Sequence, residues 1–332
     1  MRVPYETMYQ EFLRVLLKYG MTPERAERSA QLFAEASLDG VYTHGLNRFP
    51  KFIKSVANGW VQINAEPVLT ETSGIVERYD GQSGPGNLNA DFCMDRAITL
   101  ARHNTVGVVA LRNTNHWMRP GAYGLKAAQA GCIGILWTNT TPNMPPWGGR
   151  EAKLGNNPVV FALPHQDTPV VLDVAMSMFS YGKLESYARA GKQLPVEGGF
   201  DENGNLTKNA ADVLKTHQPI PIGYWKGSGL SLMLDLVAAS LAGGNTTRQI
   251  GNLPAETAIS QVFMAIDLNR FSDRDKILEN IHQTLLDLKE ATPLREGNMV
   301  RYPGEGMAYT RQENIRLGIE VEESIWKEVC AL

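Results

Sequence analysis

The stretch DGVYTHGLNRF, residues 39–49, is the densest chemistry in the chain. Gly40 ends one helical segment and the next begins near Asn47, so His44 falls in the turn between them, flanked by the Thr43 hydroxyl and Gly45. Arg48 follows four residues later, in the first turn of the new helix. A helix start draws anions through its unpaired N–H groups and its dipole. Arginine adds a planar fork that grips a carboxylate through two bonds, and histidine exchanges a proton near neutral pH. A carboxylate clamp beside a proton donor is what a 2-oxo acid needs. A buried histidine bonded to backbone beside a surface arginine fits the same letters, and the residues alone leave both readings open.

Outward from this stretch the pattern is helical on the N-terminal side. Met8, Phe12, Val15, Leu16 and Tyr19 share one helix face, and Gly20 closes that helix. Thr22-Pro23-Glu24 reads as a helix start, with Ala26, Ala30, Phe33 and Ser37 on its face. A third helix carries Phe49, Phe52, Ile53 and Val56 up to Gly59. After Pro67 the reading changes to strands at 68–72 and 75–79 around Ser73-Gly74, a helix at 89–102, and strands at 106–111, 132–138, 159–163 and 170–174, with a helix at 121–130 among them. This is an α/β or α+β layer. Helix returns at 229–241, a strand follows at 262–268, then a long helix with Ile277, Ile281, Leu285 and Leu288 on one stripe, and a short helix at 320–330. The Gly-, Asn- and Asp-rich segment 198–209 reads as a surface loop.

Composition narrows the class. The 332 residues, 43% hydrophobic, suffice for a sizeable core in one or two domains. A net charge of -3 with 20% charged residues argues against a nucleic-acid partner. Cys93, Cys132 and Cys330 form neither a zinc pattern nor a disulfide framework, so no metal is expected and a reduced, cytoplasmic setting is the plain reading. The opening MRVPYETMYQEF lacks the apolar run of a signal peptide. The most apolar segment, 230–241, is too short to span a membrane and contains Asp235.

The dinucleotide fingerprint Gly-x-Gly-x-x-Gly is missing, as are a P-loop, a nucleophile elbow and a zinc-hydrolase His pair. Three further constellations remain. Asn113-Thr114-Asn115-His116 ends a strand, where polar residues face a ligand crevice or simply form a turn. Residues 173–183, DVAMSMFSYGK, pass from a strand-end acid to a helix start, and Lys183 there reaches either a ligand oxygen or solvent. Arg301-Tyr302-Pro303-Gly304-Glu305-Gly306 is either a glycine-opened ligand loop or an ordinary one. His103, His165, His217 and His282 are assigned no role.

Together, and in this order, these segments resemble the type-2 malate/L-lactate dehydrogenase family. DGVYTHGLNR is similar to the family's acid-Gly-x-x-(Ser/Thr)-His-Gly stretch followed by Arg. NTNHW, residues 113–117, is similar to its Asn-x-x-His segment, with Trp117-Met118 replacing the more usual Phe-Gly, and LDVAMS, residues 172–177, to its strand-end Asp-x-Ala-x-Ser. The resemblance covers nearly the whole chain. It implies an α/β (α+β) fold unrelated to the Rossmann sheet: a discontinuous, mainly helical domain from 1–66 and 230–332, and an α/β domain at 67–229 that binds cofactor and substrate. It implies a homodimer with the active site near the domain interface.

The activity implied is NAD(P)H-dependent reduction of a small 2-oxo acid, a 2,3-dioxo sugar acid foremost, with hydride added at C2. Malate, lactate, ureidoglycolate or cyclic imino-acid dehydrogenases are alternatives within the family. A non-catalytic sugar-acid binder is the alternative from another class. Family roles fall on His44 as proton donor, Arg48 as carboxylate binder, and His116 and Lys183 as substrate-pocket groups; some relatives carry an acid at the Lys183 position. Cofactor contacts fall on Thr168, Pro169, Val170, Val171, Leu172, Asp173 and Val174, on Tyr224 and Trp225, and on Gly304, Glu305 and Gly306. NADH over NADPH rests on the resemblance alone.

Overall fold

Phe12, Phe33 and Phe49 come from three successive helices and meet in one aromatic knot, with ring centroids 4.2, 5.1 and 6.0 Å apart. The computed structural model that shows this describes residues 1–166, 168–295 and 297–332. After a short strand β1 (Arg2–Val3), the apolar spacing of Met8, Phe12, Val15 and Leu16 makes α1 (Tyr5–Lys18), with all four side chains fully buried. Pro23, favoured in a first helical turn, opens α2 (Pro23–Leu38). Two 3-10 turns, Tyr42–His44 and Leu46–Arg48, then lead into α3 (Phe49–Ala57).

The next elements are a hairpin of β2 (Val68–Ser73) and β3 (Val76–Asp80), α4 (Gly86–Asn104), β4 (Val106–Thr114), α5 (Gly121–Gln129), β5 (Cys132–Thr138), β6 (Val159–Leu163) and β7 (Val170–Val174). A smaller lobe follows: α6 (Tyr181–Arg189), β8 (Gly199–Phe200), β9 (Leu206–Thr207) and α7 (Ala210–Thr216), packed on Leu184, Leu194, Ala210 and Val213. Segment 198–209 thus holds a small hairpin instead of a plain loop. The chain continues through α8 (Trp225–Ala242), α9 (Thr247–Ile250), β10 (Ile259–Asp267), α10 (Arg274–Glu290), α11 (Glu305–Leu317), β11 (Ile319–Glu320) and α12 (Glu323–Ala331). β11 pairs with β1 and ties the two ends of the chain together.

Seven strands form one mixed sheet in the order β2-β3-β4-β10-β5-β6-β7. Only β3 and β4 run parallel; the other neighbours are antiparallel. Both faces are covered. Phe263 and Ala265 of β10 join the core shared with α4, α5 and the N-terminal helices, while Val262 points the other way, to Ala238 of α8. β10 lies in the 230–332 stretch assigned to the mainly helical unit, yet it takes the middle of the sheet. A strand apolar on both faces is driven to the centre of a sheet, wherever it falls in sequence.

Two other expectations change. The stripe Ile277, Ile281, Leu285 and Leu288 of α10 leaves no fully buried residue, and Leu288 is exposed. The 301–306 segment is loop only as far as Gly304, where α11 begins. No helix among the described residues is long and apolar enough to cross a membrane.

Candidate active site

The turn bearing His44 is held by the end of α2. Ser37 Oγ accepts the Leu46 N–H at 2.8 Å, and a Cβ on Gly45 would lie 2.8 Å from Ser37 N, so only glycine lets the turn come this close. Arg48 closes the second 3-10 turn and stands as the N-cap residue of α3, one step before the helical turn where the sequence places it.

The loop after β4 brings the second histidine. The Asn115 side-chain amide donates to the carbonyls of Ser83 at 2.8 Å and Gly84 at 3.0 Å, fixing the loop's path. Trp117 is buried beyond it, and Tyr123 Oη donates to the Trp117 carbonyl at 2.6 Å, so the departure from Phe-Gly at 117–118 is packed into the core. The His116 and His44 rings stack with centroids 5.6 Å apart and planes 28° apart. The Met118 N–H donates to His116 Nδ1 at 3.0 Å. Nδ1 is therefore the acceptor, and the proton of neutral His116 sits on Nε2.

Burial sets the charge state of this pair. Crowding by protein, then the Arg48 and Arg119 guanidiniums, push the His44 pKa down to about 4. Burial, then Arg48, His44 and Lys51, hold His116 well below the usual histidine value. Arg48 is itself lowered by burial, against which the carboxylate of Glu256 acts. The two meet at 3.9 Å. Lys51, further along α3, is lowered by Arg48 first and burial second, with Glu256 and Glu185 opposing.

Behind the histidines lies a buried ion cluster. Asp39 bonds Arg119, and at 2.7 Å also Arg311 of α11. Asp39 and Arg119 are buried. One carboxylate thus joins the chain before His44, the chain after His116 and the last long helix. Sequence reading quoted Asp39 without a role and missed Arg119, Arg311, Lys51 and Glu256. The only sequence signal for Arg119 is its place three residues after His116.

Lys183 lies near this cluster without joining it. A Cβ on Gly182 would lie 2.6 Å from Thr43, so the start of α6 abuts the His44 turn. The Lys183 ammonium instead sits 5.1 Å from the Tyr187 ring centre, on an exposed side chain.

Two of the segments expected to hold the cofactor, 168–174 and 304–306, lie against each other. The Val171 N–H donates to the Pro303 carbonyl at 3.1 Å, which lays the 301–304 loop along edge strand β7. Gly304 has φ +94°, and a Cβ there would lie 3.1 Å from Val171 N. Asp173 accepts the Gly121 N–H at 2.8 Å at the start of α5; burial raises its pKa, opposed by that N–H and by Arg119. Beyond β7 the chain pairs with the approach to α8, through Met178 N–H to the Ile220 carbonyl at 2.9 Å and Ile222 N–H to the Met176 carbonyl at 2.8 Å. Tyr224 packs on Trp147 with ring centroids 4.8 Å apart, and Trp225 is exposed. Glu305 pairs with Lys289 at 2.5 Å, and its other oxygen is buried without a protein partner among the described residues. Exposed Leu172, Tyr224 and Trp225 suit the flat rings of a dinucleotide, and a carboxylate oxygen with free lone pairs suits sugar hydroxyls, so the residues present fit such a cofactor.

A sequence profile of malate/L-lactate dehydrogenases matches residues 3–330. The chain belongs to this family. It is an oxidoreductase, and dehydrogenases of this kind work with a nicotinamide cofactor. A 2,3-diketo-L-gulonate reductase from Citrobacter koseri is 43% identical, and one from Escherichia coli O6:K15:H31 is 44% identical, each match covering all of both chains. Among solved structures, malate dehydrogenase from Entamoeba histolytica superposes with a TM-score of 0.93 at 26% identity, covering 99% of this chain and 96% of the other. Sulfolactate dehydrogenase from Methanocaldococcus jannaschii gives 0.91 at 28%, covering 100% and 97%. The missing Rossmann fingerprint follows from the mixed malate/L-lactate dehydrogenase sheet, in which only one neighbouring pair of strands is parallel.

Proposed function

We propose that this malate/L-lactate dehydrogenase relative reduces a small 2-oxo acid, foremost 2,3-diketo-L-gulonate to 3-dehydro-L-gulonate, with His44 as proton donor. The observation that carries the reading is the stacked His44–His116 pair with Arg48 at the end of the next 3-10 turn. The full-length reductase relatives support the sugar acid as the substrate.

When bound, a nicotinamide cofactor would supply the hydride that C2 accepts. His44 delivers the proton to the carbonyl oxygen as negative charge develops there, help worth about 10²–10⁴-fold. His116 offers its Nε2–H to a neighbouring substrate oxygen. Arg48 takes the substrate carboxylate and so presents one face of the ketone to the cofactor. That carboxylate also offsets the Arg48 charge, which raises the His44 pKa in the complex and draws a proton onto it. The 168–174 and 304–306 segments, with Tyr224 and Trp225, would hold the cofactor. NADH is proposed over NADPH on the family resemblance alone. Lys183 serves the substrate pocket through movement of its flexible side chain.

We also propose a homodimer working in the cytoplasm. The exposed stripe of Leu232, Met233 and Leu236 on α8 supports association, and three free cysteines suit a reducing compartment. The test is loss of NADH or NADPH absorbance with a panel of 2-oxo acids. Fastest turnover on 2,3-diketo-L-gulonate with NADH is expected, and no reduction of any 2-oxo acid would refute the reading.

A further inference from the structure

We infer that Glu256 selects substrates with a hydroxylated tail, accepting a hydrogen bond from a hydroxyl beyond the dicarbonyl unit while Arg48 holds the carboxylate. The inference rests on the sugar-acid reading above. Glu256 lies between α9 and β10, far from the other site residues in sequence, yet the fold sets its carboxylate 3.9 Å from Arg48. Both side chains are largely covered, with 22% and 24% of their surface exposed. Its second oxygen is met by the Thr141 N–H at 3.4 Å. Both contacts are long for hydrogen bonds, so neither saturates the lone pairs of the carboxylate.

An anion in this place has a chemical consequence. A substrate carboxylate docking on Arg48 must share that guanidinium with Glu256. Two like charges around one cation repel unless hydroxyl donors take up the lone pairs of one of them. A polyhydroxy acid brings such donors, and its hydroxyl-to-carboxylate bond is charge-assisted. Pyruvate brings none, so it meets the repulsion without the compensating bond. The same carboxylate thereby favours one acid and disfavours the other.

The experiment compares kcat/KM for 2,3-diketo-L-gulonate and for pyruvate in wild type, Glu256→Gln and Glu256→Ala. Circular dichroism and NADH binding measured by fluorescence report the folded state of each. Glu256→Ala should lose about ten- to a hundredfold on the sugar acid, chiefly in KM, and hold or gain on pyruvate. The isosteric Glu256→Gln, which still accepts a hydrogen bond, should fall between. A fall by the same factor on both substrates would mean that Glu256 only orients Arg48, and an equal rise on both that it is only a repelling charge; either overturns the inference. If the wild type itself shows no preference for the sugar acid, the substrate reading fails first and the inference with it, whereas a wild-type preference that survives in Glu256→Ala sinks the inference alone.

Discussion

The proposed role of His44 is to donate a proton, yet its surroundings strip that proton away: burial, Arg48 and Arg119 hold its pKa at about 4 in the free protein. Only the protonated fraction can start the reduction. Above about pH 4, kcat/KM for 2-oxo acid reduction should therefore fall close to tenfold per pH unit. In the oxidative direction the neutral form is the competent one, so kcat/KM should be flat over the same range. Initial-rate profiles in both directions check this, and a reduction profile flat across neutrality would remove His44 as the donor. His44→Asn should keep the fold and NADH binding and lower kcat by about 10²–10⁴, read by steady-state kinetics beside a fluorescence titration. Arg48 answers to the substrate's charge. The wild type should strongly prefer a 2-oxo acid to its methyl ester, and Arg48→Leu should lose that preference together with about 1.5–3 kcal/mol of transition-state binding. Equal rates on acid and ester in the wild type would show that Arg48 is no carboxylate clamp.

At the scale of elements, Asp39 couples α2, the loop before α5, and α11. Asp39→Asn leaves Arg119 buried without its counter-charge. Breaking a buried pair in this way costs about 3–5 kcal/mol, which a urea unfolding curve would read; a loss below about 1 kcal/mol would mean the pair is dispensable. In the proposed cofactor segment 304–306 the two glycines differ. Gly304 needs its positive φ and sits against the backbone of β7, so a side chain there disturbs the protein before it meets any ligand. At Gly306 the nearest atom to an added Cβ is Arg301 Nη1 at 3.4 Å, the end of a flexible side chain. Gly306→Val should thus raise the apparent KM for NADH while leaving that for the oxo acid near wild type. Unchanged NADH affinity in a folded variant, by fluorescence titration, would move the cofactor away from this loop.

Across the whole molecule, the chain leaves apolar surface on α8, where Leu232, Met233 and Leu236 are exposed at neighbouring positions of one helix face. Burying such a stripe against a second copy is the expected remedy. Sedimentation velocity should find a dimer in the wild type and a monomer after Leu232→Asp with Met233→Asp. A monomeric wild type would refute the homodimer.

The residues by themselves determined the local elements and singled out two groups of the candidate site. Met8 to Leu16 spaced for one helix face, Thr22-Pro23 at a helix start, and the alternating strands of the middle region each carry their own short-range physics, and the helices and strands follow them closely. His44 and Arg48 were legible because they lie four residues apart on one short connection between helices. His116 could be named only with the family resemblance, since its strand-end context also fits a plain turn. Tertiary structure alone decided the rest. The centre of the sheet went to β10, from far along the chain, because its two apolar faces need cover on both sides. The pKa of His44 depends on Arg119, which lies 75 residues away in sequence (119 minus 44), and on burial, which no local pattern encodes. Glu256 reads in sequence as one more surface acid; only the packing of its loop brings it to 3.9 Å from Arg48. Local spacing governs hydrogen bonds within a few residues, whereas desolvation and charge pairing act between groups that only the folded chain brings together.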